Sequence, residues 1–217
     1  MKERMLFGVG QEKAVFEDPH HPEWLIKESH GTTNESPATV KGRFYLTKLL
    51  HRLFPANVPD IHAASSAQPQ SMVVEKKLLD AQHQELRRLD IGLRQGSLSD
   101  DERLRFFRLE KQYRNEPAFK RLAMVLSGVG VRVDASGTNF GFDNRREAVY
   151  IDSFLPWSGT SVSGTGIERF KRRYDPTALA ARIQLLLEDQ RSLAQRDFQR
   201  LEALYLEEEH RIQGSLA

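Results

Sequence analysis

The stretch VDASGTNFGFDNRREAVYIDS, residues 133–153, decides which fold we expect. Its apolar and aromatic runs predict two short strands, TNFGF and AVYID, joined by the turn DNRRE. Asn139 lies near the start of the first strand and Asp152 at the end of the second, so both are expected at the open end of one antiparallel hairpin. Asp134 precedes Asn139 by five residues. The three oxygen-bearing side chains could therefore converge on one metal-bound phosphate.

The composition is that of an ordinary globular protein. The chain has 217 residues, of which 39% are hydrophobic and 29% charged, enough for one large domain or two small lobes. No apolar run is long enough to span a membrane, and the N-terminus MKERMLFGVG does not resemble a secretory signal. We therefore expect a cytoplasmic protein without a membrane partner. The absence of cysteine excludes disulfides, thiol catalysis and cysteine-ligated zinc.

The charge balance does not indicate a nucleic-acid partner. Lysine and arginine exceed aspartate and glutamate by only two. Arginines are frequent between Arg87 and Arg121, but they alternate with acidic residues, which is typical of a solvated helix face. A nucleic acid is accordingly not expected as a partner, and the oligomeric state is left open.

Residues 1–77 have the pattern of a small antiparallel sheet with one helix. RMLFG, KAVFEDP and WLIKES predict three strands, and IHAASSA and SMVVEKK predict two more. Between the third and fourth, Ser36 followed by Pro37 predicts a capped helix that Pro55 ends. A five-stranded antiparallel sheet with a helix after strand three is the expected result.

Residues 78–217 are predicted to be mainly helical. A leucine stripe from Leu79 ends at Gly96, and Ser99 with Glu102 forms a capping-box pattern that starts a second helix. Pro117 begins a third helix. Asp175-Pro176 begins a long C-terminal segment that we expect to break near Asp189. Together the two parts predict an α+β protein.

Several residues, in the order in which they occur along the chain, supply the groups that phosphoryl transfer needs. Gly8 and Gly10 lie between the first two strands, where glycine lets the backbone approach phosphates. Lys27 ends the third strand in WLIK, and Asp134 and Asn139 have the spacing D-x-x-x-x-N. Asp152 follows on the next strand.

From about residue 4 to residue 155 the chain resembles the protein-kinase-like superfamily, as a small divergent bacterial-type kinase similar to aminoglycoside phosphotransferases. The resemblance implies a bilobal fold that binds ATP and Mg²⁺, with lobes at 1–77 and 78–217. It also implies roles. Asp134 would be the catalytic residue that orients an acceptor hydroxyl, Lys27 would neutralise the α and β phosphates, and Asn139 and Asp152 would bind the metal.

The resemblance further implies a nucleotide-binding hinge at MVVEKK. The Glu75 carbonyl and the Lys77 amide would face adenine, with Val15 and Ile26 as walls of the base site. Two departures from the family pattern stand out. Lys13 replaces the third glycine of the phosphate loop, and the helix after strand three has no glutamate to hold Lys27. Glu35, just before that helix, is the nearest substitute.

Three functions remain open from the sequence. The first is a kinase acting on a hydroxyl acceptor, with a small molecule favoured over a protein because no extended activation segment is present. The second is a nucleotide-binding pseudokinase or regulatory module without transfer activity, which the missing helix glutamate favours. The third is an adaptor that uses the arginine-rich helices. His20 and His21 with Glu23 could bind a transition metal, although such residues at a hairpin tip are more often simply exposed.

Overall fold

The computed structural model describes residues 5–9, 13–30, 35–158, 162–163, 166–167 and 170–214. It shows an α+β protein in which one antiparallel sheet is followed by a mainly helical part.

A five-stranded antiparallel sheet occupies the N-terminal part, as predicted. Its strands are β1 (Leu6–Val9), β2 (Lys13–Glu17), β3 (Trp24–Ser29), β4 (Ile61–Ser65) and β5 (Ser71–Glu75). They lie in the order β1-β2-β3-β5-β4. In β3, Leu25 and Lys27 alternate with Ile26, so the first two face one side of the sheet and Ile26 the other. This alternation sets which side chains of β3 reach the cleft described below.

Helix α1 (Pro37–Leu53) connects β3 to β4. The Ser36 hydroxyl accepts from the Thr39 amide at 3.1 Å, and Pro37 occupies the first turn, as the sequence predicts. The side of α1 away from the sheet packs against the C-terminal helix. On α1, Gly42 lets the helix approach Trp157 closely, because a Cβ at this position would lie 2.5 Å from the Trp157 ring.

Five further α-helices belong to the second part within the described residues. They are α2 (Ala81–Gln95), α3 (Asp100–Asn115), α4 (Pro117–Ser127), α5 (Pro176–Ile183) and α6 (Glu188–Gly214). The predicted capping box is present, because Ser99 and Glu102 each bind the backbone amide of the other. The break before α6 falls at residues 184–187, slightly earlier than predicted.

The predicted hairpin at 140–150 is also confirmed. Strand β6 (Phe140–Phe142) pairs with β7 (Ala148–Tyr150), and a 3-10 turn, Gly137–Asn139, precedes it. Two pairs of very short strands follow: β8 (Trp157–Ser158) with β11 (Lys171–Arg172), and β9 (Val162–Ser163) with β10 (Gly166–Ile167). None of the helices in the described ranges is long and apolar enough to cross a membrane.

A single large apolar core joins α1 to the hairpin and the other helices. Its largest fully buried side chains are aromatic: Phe119, Phe140, Tyr150, Phe154 and Trp157. A smaller cluster, Leu25, Ile61, Met72 and Val74, covers the inner face of the sheet. The hairpin is thus anchored by its aromatic face, which leaves its open end directed at the sheet.

Gly130→Ala is expected to destabilise the fold strongly. Gly130 has a left-handed φ of 72°, and a Cβ there would lie 2.3 Å from the backbone nitrogen of Asp175, which caps α5. Backbone strain and displacement of this cap together should lower the free energy of unfolding by about 3 kcal/mol. The measurement is urea unfolding.

Gly96→Ala is the matched control for this change. Gly96 has a similar φ of 68°, but a Cβ added there would have no neighbouring atom within 4 Å. Only the strain remains, which should cost about 1 kcal/mol. Equal destabilisation by the two substitutions would contradict the role given to the contact with Asp175.

Candidate functional site

A cleft lies between the inner face of the sheet and the open end of the hairpin. One cavity in it, about 160 Å³ in volume, has apolar walls. The walls include Val15, Leu25, Ile61, Met72, Val74 and Phe154. A second cavity of about 680 Å³ adjoins it and shares Lys27, Asn139 and Asp152 with it. The cleft therefore has a narrow apolar part and a wider polar part, with these three side chains at the junction.

Lys27 extends from β3 into this junction. Its ammonium donates a hydrogen bond of 2.7 Å to the Ile151 carbonyl, immediately before Asp152. Burial lowers the pKa of Lys27, and the nearby Asp152 carboxylate counteracts part of that effect. Asp152 is thus the acidic group whose charge stabilises the ammonium, although the two form no direct ion pair within the described part of the chain.

Asn139 and Asp152 come together at the open end of the hairpin, as predicted. The Ile151 amide donates to the Asn139 carbonyl at 2.9 Å, which fixes the two segments beside each other. The side-chain amide nitrogen of Asn139 donates to the Asp134 carbonyl at 3.3 Å. The side-chain oxygen of Asn139 is left without a partner in the described residues, and so is the Asp152 carboxylate. Both are therefore available to a cation.

Asp134 is an exposed residue on the loop before the 3-10 turn and lines the polar cavity. Its carboxylate accepts from the Ser136 amide at 3.1 Å, and its own amide donates to the Tyr150 hydroxyl at 3.2 Å. Tyr150 is buried in the core, so the loop is attached to a rigid support. Tyr150 was not among the site residues expected from the sequence, where its only signal is its place in the AVYID strand.

Glu35 does not act as the partner of Lys27, which corrects the expectation. Its carboxylate instead binds the Arg43 guanidinium, with both carboxylate oxygens 2.9 Å from Nε. Arg43 is buried on α1 and also donates to the Ser153 hydroxyl at 3.2 Å. The physical reason is the closer cation: Arg43, within the first two turns of α1, binds the Glu35 carboxylate through its guanidinium.

Ile26 is not a wall of the apolar cavity, which is a second correction. Because side chains alternate along β3, Leu25 occupies the cavity wall on the same face as Lys27, and Ile26 points to the opposite face. The period-two rule applied from Lys27 would have identified Leu25 from the sequence. Val15 lines this cavity, as expected for a wall of the base site. Gly8 lines it too, and its predicted approach to phosphates stays a prediction. Gly10 lies outside the described residues.

Glu75 and Lys77 both line the apolar cavity, at the end of β5. The Glu75 carboxylate accepts from the Asp60 amide at 3.0 Å and from the Lys77 ammonium at 2.7 Å. These bonds hold the segment after β5 against Asp60, the residue before β4. The expected contact of the Glu75 carbonyl and the Lys77 amide with a base stays a prediction.

Lys13 belongs to the site, although the sequence indicated only that it replaces a glycine and adds a charge. It is buried, and its ammonium donates to the Ser153 hydroxyl at 3.2 Å. Burial, together with the positive charge of Arg43, lowers its pKa to about 7. Lys13 and Arg43 therefore meet at Ser153, next to the proposed metal ligand Asp152.

Lys13→Met is expected to change how stability depends on pH. The pKa of Lys13 is about 7 when folded and near the ordinary 10.5 when unfolded, so between these values the unfolded chain binds more protons. Its contribution to stability therefore rises with pH by about 1.4 kcal/mol per unit within this window. Lys13→Met should be more stable than the parent protein near pH 6, and this advantage should shrink from about pH 7 to 9. Urea unfolding over that range measures it; a pH-independent difference would contradict the lowered pKa.

The arginines between Arg87 and Arg121 are largely ion-paired. Arg105 binds Glu85 at 2.7 Å and Arg88 binds Glu102 at 3.1 Å. Arg87 differs from the expected solvated face, because its guanidinium stacks 4.3 Å from the Phe7 ring centre and lines the apolar cavity. These ion pairs reduce the positive charge that the adaptor function considered from the sequence would use.

No group of three or more histidine, cysteine or acidic side chains is arranged to hold a metal within the described residues. His21 and Glu23 lie 3.7 Å apart and are exposed. The pair Asn139 and Asp152 is consistent with a cation that takes its remaining ligands from a nucleotide and water. No protein-family model matches the chain, and no curated protein matches it significantly. The case for a function therefore rests on the geometry of the cleft.

Proposed function

We propose that the protein is an ATP- and Mg²⁺-dependent phosphotransferase with a hydroxyl acceptor, built as a kinase-like bilobal fold with lobes at 1–77 and 78–217. The observation that carries the proposal is the convergence of Lys27, Asp134, Asn139 and Asp152 on two adjoining cavities. These residues come from a strand, a loop and both sides of a hairpin. The proposal places the protein in the cytoplasm, where ATP is available.

The apolar cavity suits a nucleobase, since aliphatic and aromatic side chains form much of its lining, which also includes Glu75 and Lys77 at the end of β5. The adjoining polar cavity suits phosphates, because Lys27 and Lys13 extend into it. In this arrangement Lys27 neutralises the α and β phosphates. Lys13 takes the place of a phosphate-loop glycine and adds a second positive charge.

The residues at the hairpin fit a magnesium ion. The oxygen atoms of Asn139 and Asp152 have no competing partner in the described residues, and Mg²⁺ prefers such hard oxygen ligands. When bound there, the ion would neutralise charge on the β and γ phosphates.

Asp134 supplies the remaining chemistry. Its exposed carboxylate would orient the acceptor hydroxyl and accept its proton. The bond between the acceptor oxygen and the γ phosphorus then forms as the bond to the bridging oxygen of the β phosphate breaks. ADP leaves with the electron pair of the broken bond.

Thermal unfolding in the presence of nucleotides tests this proposal. At a concentration of 100 times Kd, ATP should stabilise the protein by about 2.7 kcal/mol, which raises Tm by about 5 °C or more, and Mg²⁺ should increase the shift. Lys27→Met should lose most of the shift, measured against its own Tm. Lys120→Met, which changes an exposed lysine of α4, should keep it. If the Tm of the parent protein does not change with ATP, ADP or GTP, the proposal is refuted.

A nucleotide-binding module without transfer activity is the second candidate. It is favoured because Glu35 is engaged by Arg43, while Lys27 is held by the Ile151 carbonyl rather than by a carboxylate. Both candidates predict the thermal shift. Release of ADP, with and without added hydroxyl acceptors, distinguishes them, because only the phosphotransferase produces ADP.

A further inference from the structure

The polar cavity carries an excess of positive charge. Six cationic side chains line it, against the two carboxylates of Asp134 and Asp152. The six are Lys13, Lys27, Arg43, Arg94, Arg132 and Arg173. An uncharged or cationic acceptor would find few complementary groups in such a cavity.

Two of these cations are already neutralised by the protein. Arg43 is paired with Glu35, and Arg94 binds Asp90 at 3.0 Å. Lys13 and Lys27 lie on β2 and β3, on the side where the proposed function puts the nucleotide phosphates. Arg132 and Arg173 are left, and neither forms an ion pair with any residue that the structure describes.

Arg173 has a further property that points to a ligand. Its Nε atom is buried and has no hydrogen-bond partner among the described residues. A buried donor without a partner destabilises a fold, more so when it is charged, unless a ligand accepts its hydrogen bond. The Arg173 amide donates to the Pro156 carbonyl at 2.8 Å, which ties the residue to the segment that follows Asp152.

Arg132 lines the same cavity and precedes Asp134 by two residues in the chain. It is exposed, so a ligand can reach it from solvent. Guanidinium groups match the geometry of phosphate and carboxylate oxygens, to which they can donate two parallel hydrogen bonds. Two such groups in the cavity that Asp134 also lines suit an anionic ligand.

We propose that the acceptor is an anionic hydroxyl compound, whose phosphate or carboxylate group binds Arg173 and Arg132 while its hydroxyl faces Asp134. The inference rests on the proposed function and names the substrate class of that site. The hydroxyl proton passes to Asp134, the acceptor oxygen bonds to the γ phosphorus of ATP, and ADP leaves with the electron pair of the broken bond. The product is a phosphate ester that bears a second anionic group.

Calorimetric titration of the protein saturated with Mg²⁺ and a non-hydrolysable ATP analogue tests the anion site. The probes are inorganic phosphate, glycerol 3-phosphate, glycerate and glycerol. We expect inorganic phosphate and at least one of the two anionic alcohols to bind, and glycerol not to bind over the same concentration range. Tighter binding of glycerol 3-phosphate would indicate an acceptor that bears a phosphate, and tighter binding of glycerate one that bears a carboxylate.

Arginine variants make the test specific to this site. Arg173→Gln and Arg132→Gln should each weaken binding of the anions at least fivefold while leaving the thermal shift by ATP unchanged. Arg132 is exposed, so its variant remains informative if Arg173→Gln folds poorly. Arg182→Gln, which changes an exposed arginine of α5 outside the cavity, is the control and should bind as the parent does.

Three results would overturn the inference: no anion binds, glycerol binds as tightly as the anions, or both arginine variants keep anion affinity within fivefold of the parent. Failure of the proposed function is a separate outcome, since it shows as a missing thermal shift by ATP in the parent protein.

Discussion

Asp134→Asn is expected to lower kcat for phosphoryl transfer by about 10²- to 10⁴-fold, because general-base catalysis by a positioned carboxylate is typically worth this much. The substitution keeps the shape of the side chain. The Asn oxygen can still accept from the Ser136 amide, and the bond from the Asp134 amide to the Tyr150 hydroxyl involves only the backbone of residue 134. What is lost is the negative charge that takes the acceptor proton.

Release of ADP measures this effect, with water and each working hydroxyl compound as acceptor. The ATP-induced thermal shift of Asp134→Asn should equal that of the parent, since the carboxylate does not bind the nucleotide in the proposed arrangement. A decrease in turnover together with a lost thermal shift would indicate a structural role. Unchanged turnover with every acceptor would remove Asp134 from the mechanism.

The fold was predictable where its signals are local. The Ser36 and Ser99 caps, Pro117, and the Asp175-Pro176 pair each act within one helical turn, so a short window of sequence contains the whole cause. The hairpin was predictable for the same reason, because its strands are joined by only a few residues. Its open end then determines that Asn139 and Asp152 are neighbours.

Side-chain direction was the harder part. Ile26 was expected in the base site, but the alternation of side chains along β3 puts Leu25 there. The strand was predicted correctly, and the error was the face of the sheet assigned to Ile26. Glu35 was judged by its distance along the chain from the helix. Its actual partner, Arg43, was not considered, because a buried arginine on a helix is rare and has no signal in the sequence.

The residues that sequence reasoning missed owe their roles to contacts between distant segments. Lys13 reaches Ser153, 140 positions away, and Arg173 enters the polar cavity only because β11 pairs with β8 near the segment after Asp152. Tyr150 supports the Asp134 loop because its hydroxyl accepts from the Asp134 amide, a contact that the strand pattern of AVYID does not predict. A pattern in one segment can predict which residues share a face, but not which other segment that face meets.

The contacts of Ser153 show how the departures from the kinase pattern fit together. Arg43 of α1 and Lys13 of β2 both donate to the Ser153 hydroxyl. The helix and the sheet are therefore both connected, through the neutral Ser153 hydroxyl, to the segment that carries Asp152. In the proposed enzyme, this connection positions Asp152 relative to Lys27.

Asp152→Asn is expected to have the largest effect, reducing phosphoryl transfer by at least about 10³-fold. An amide in place of the carboxylate weakens the proposed magnesium site, and loss of metal charge at the phosphates costs several kcal/mol of transition-state stabilisation. The same change removes the negative charge that supports protonated Lys27, whose pKa is already lowered by burial. Two charges that the mechanism needs are thus weakened by one substitution.

Thermal shifts separate the metal effect from a general loss of binding. In the parent, Mg²⁺ should increase the shift caused by ATP; in Asp152→Asn the shift should no longer depend on Mg²⁺. Asp143→Asn is the matched control, because Asp143 lies at the closed end of the same hairpin, where its carboxylate accepts from the Arg145 and Glu147 amides. Asn can replace it in that turn, so this variant should keep both the magnesium dependence and transfer. If Asp152→Asn also keeps them, the metal is bound elsewhere and the hairpin serves the fold alone.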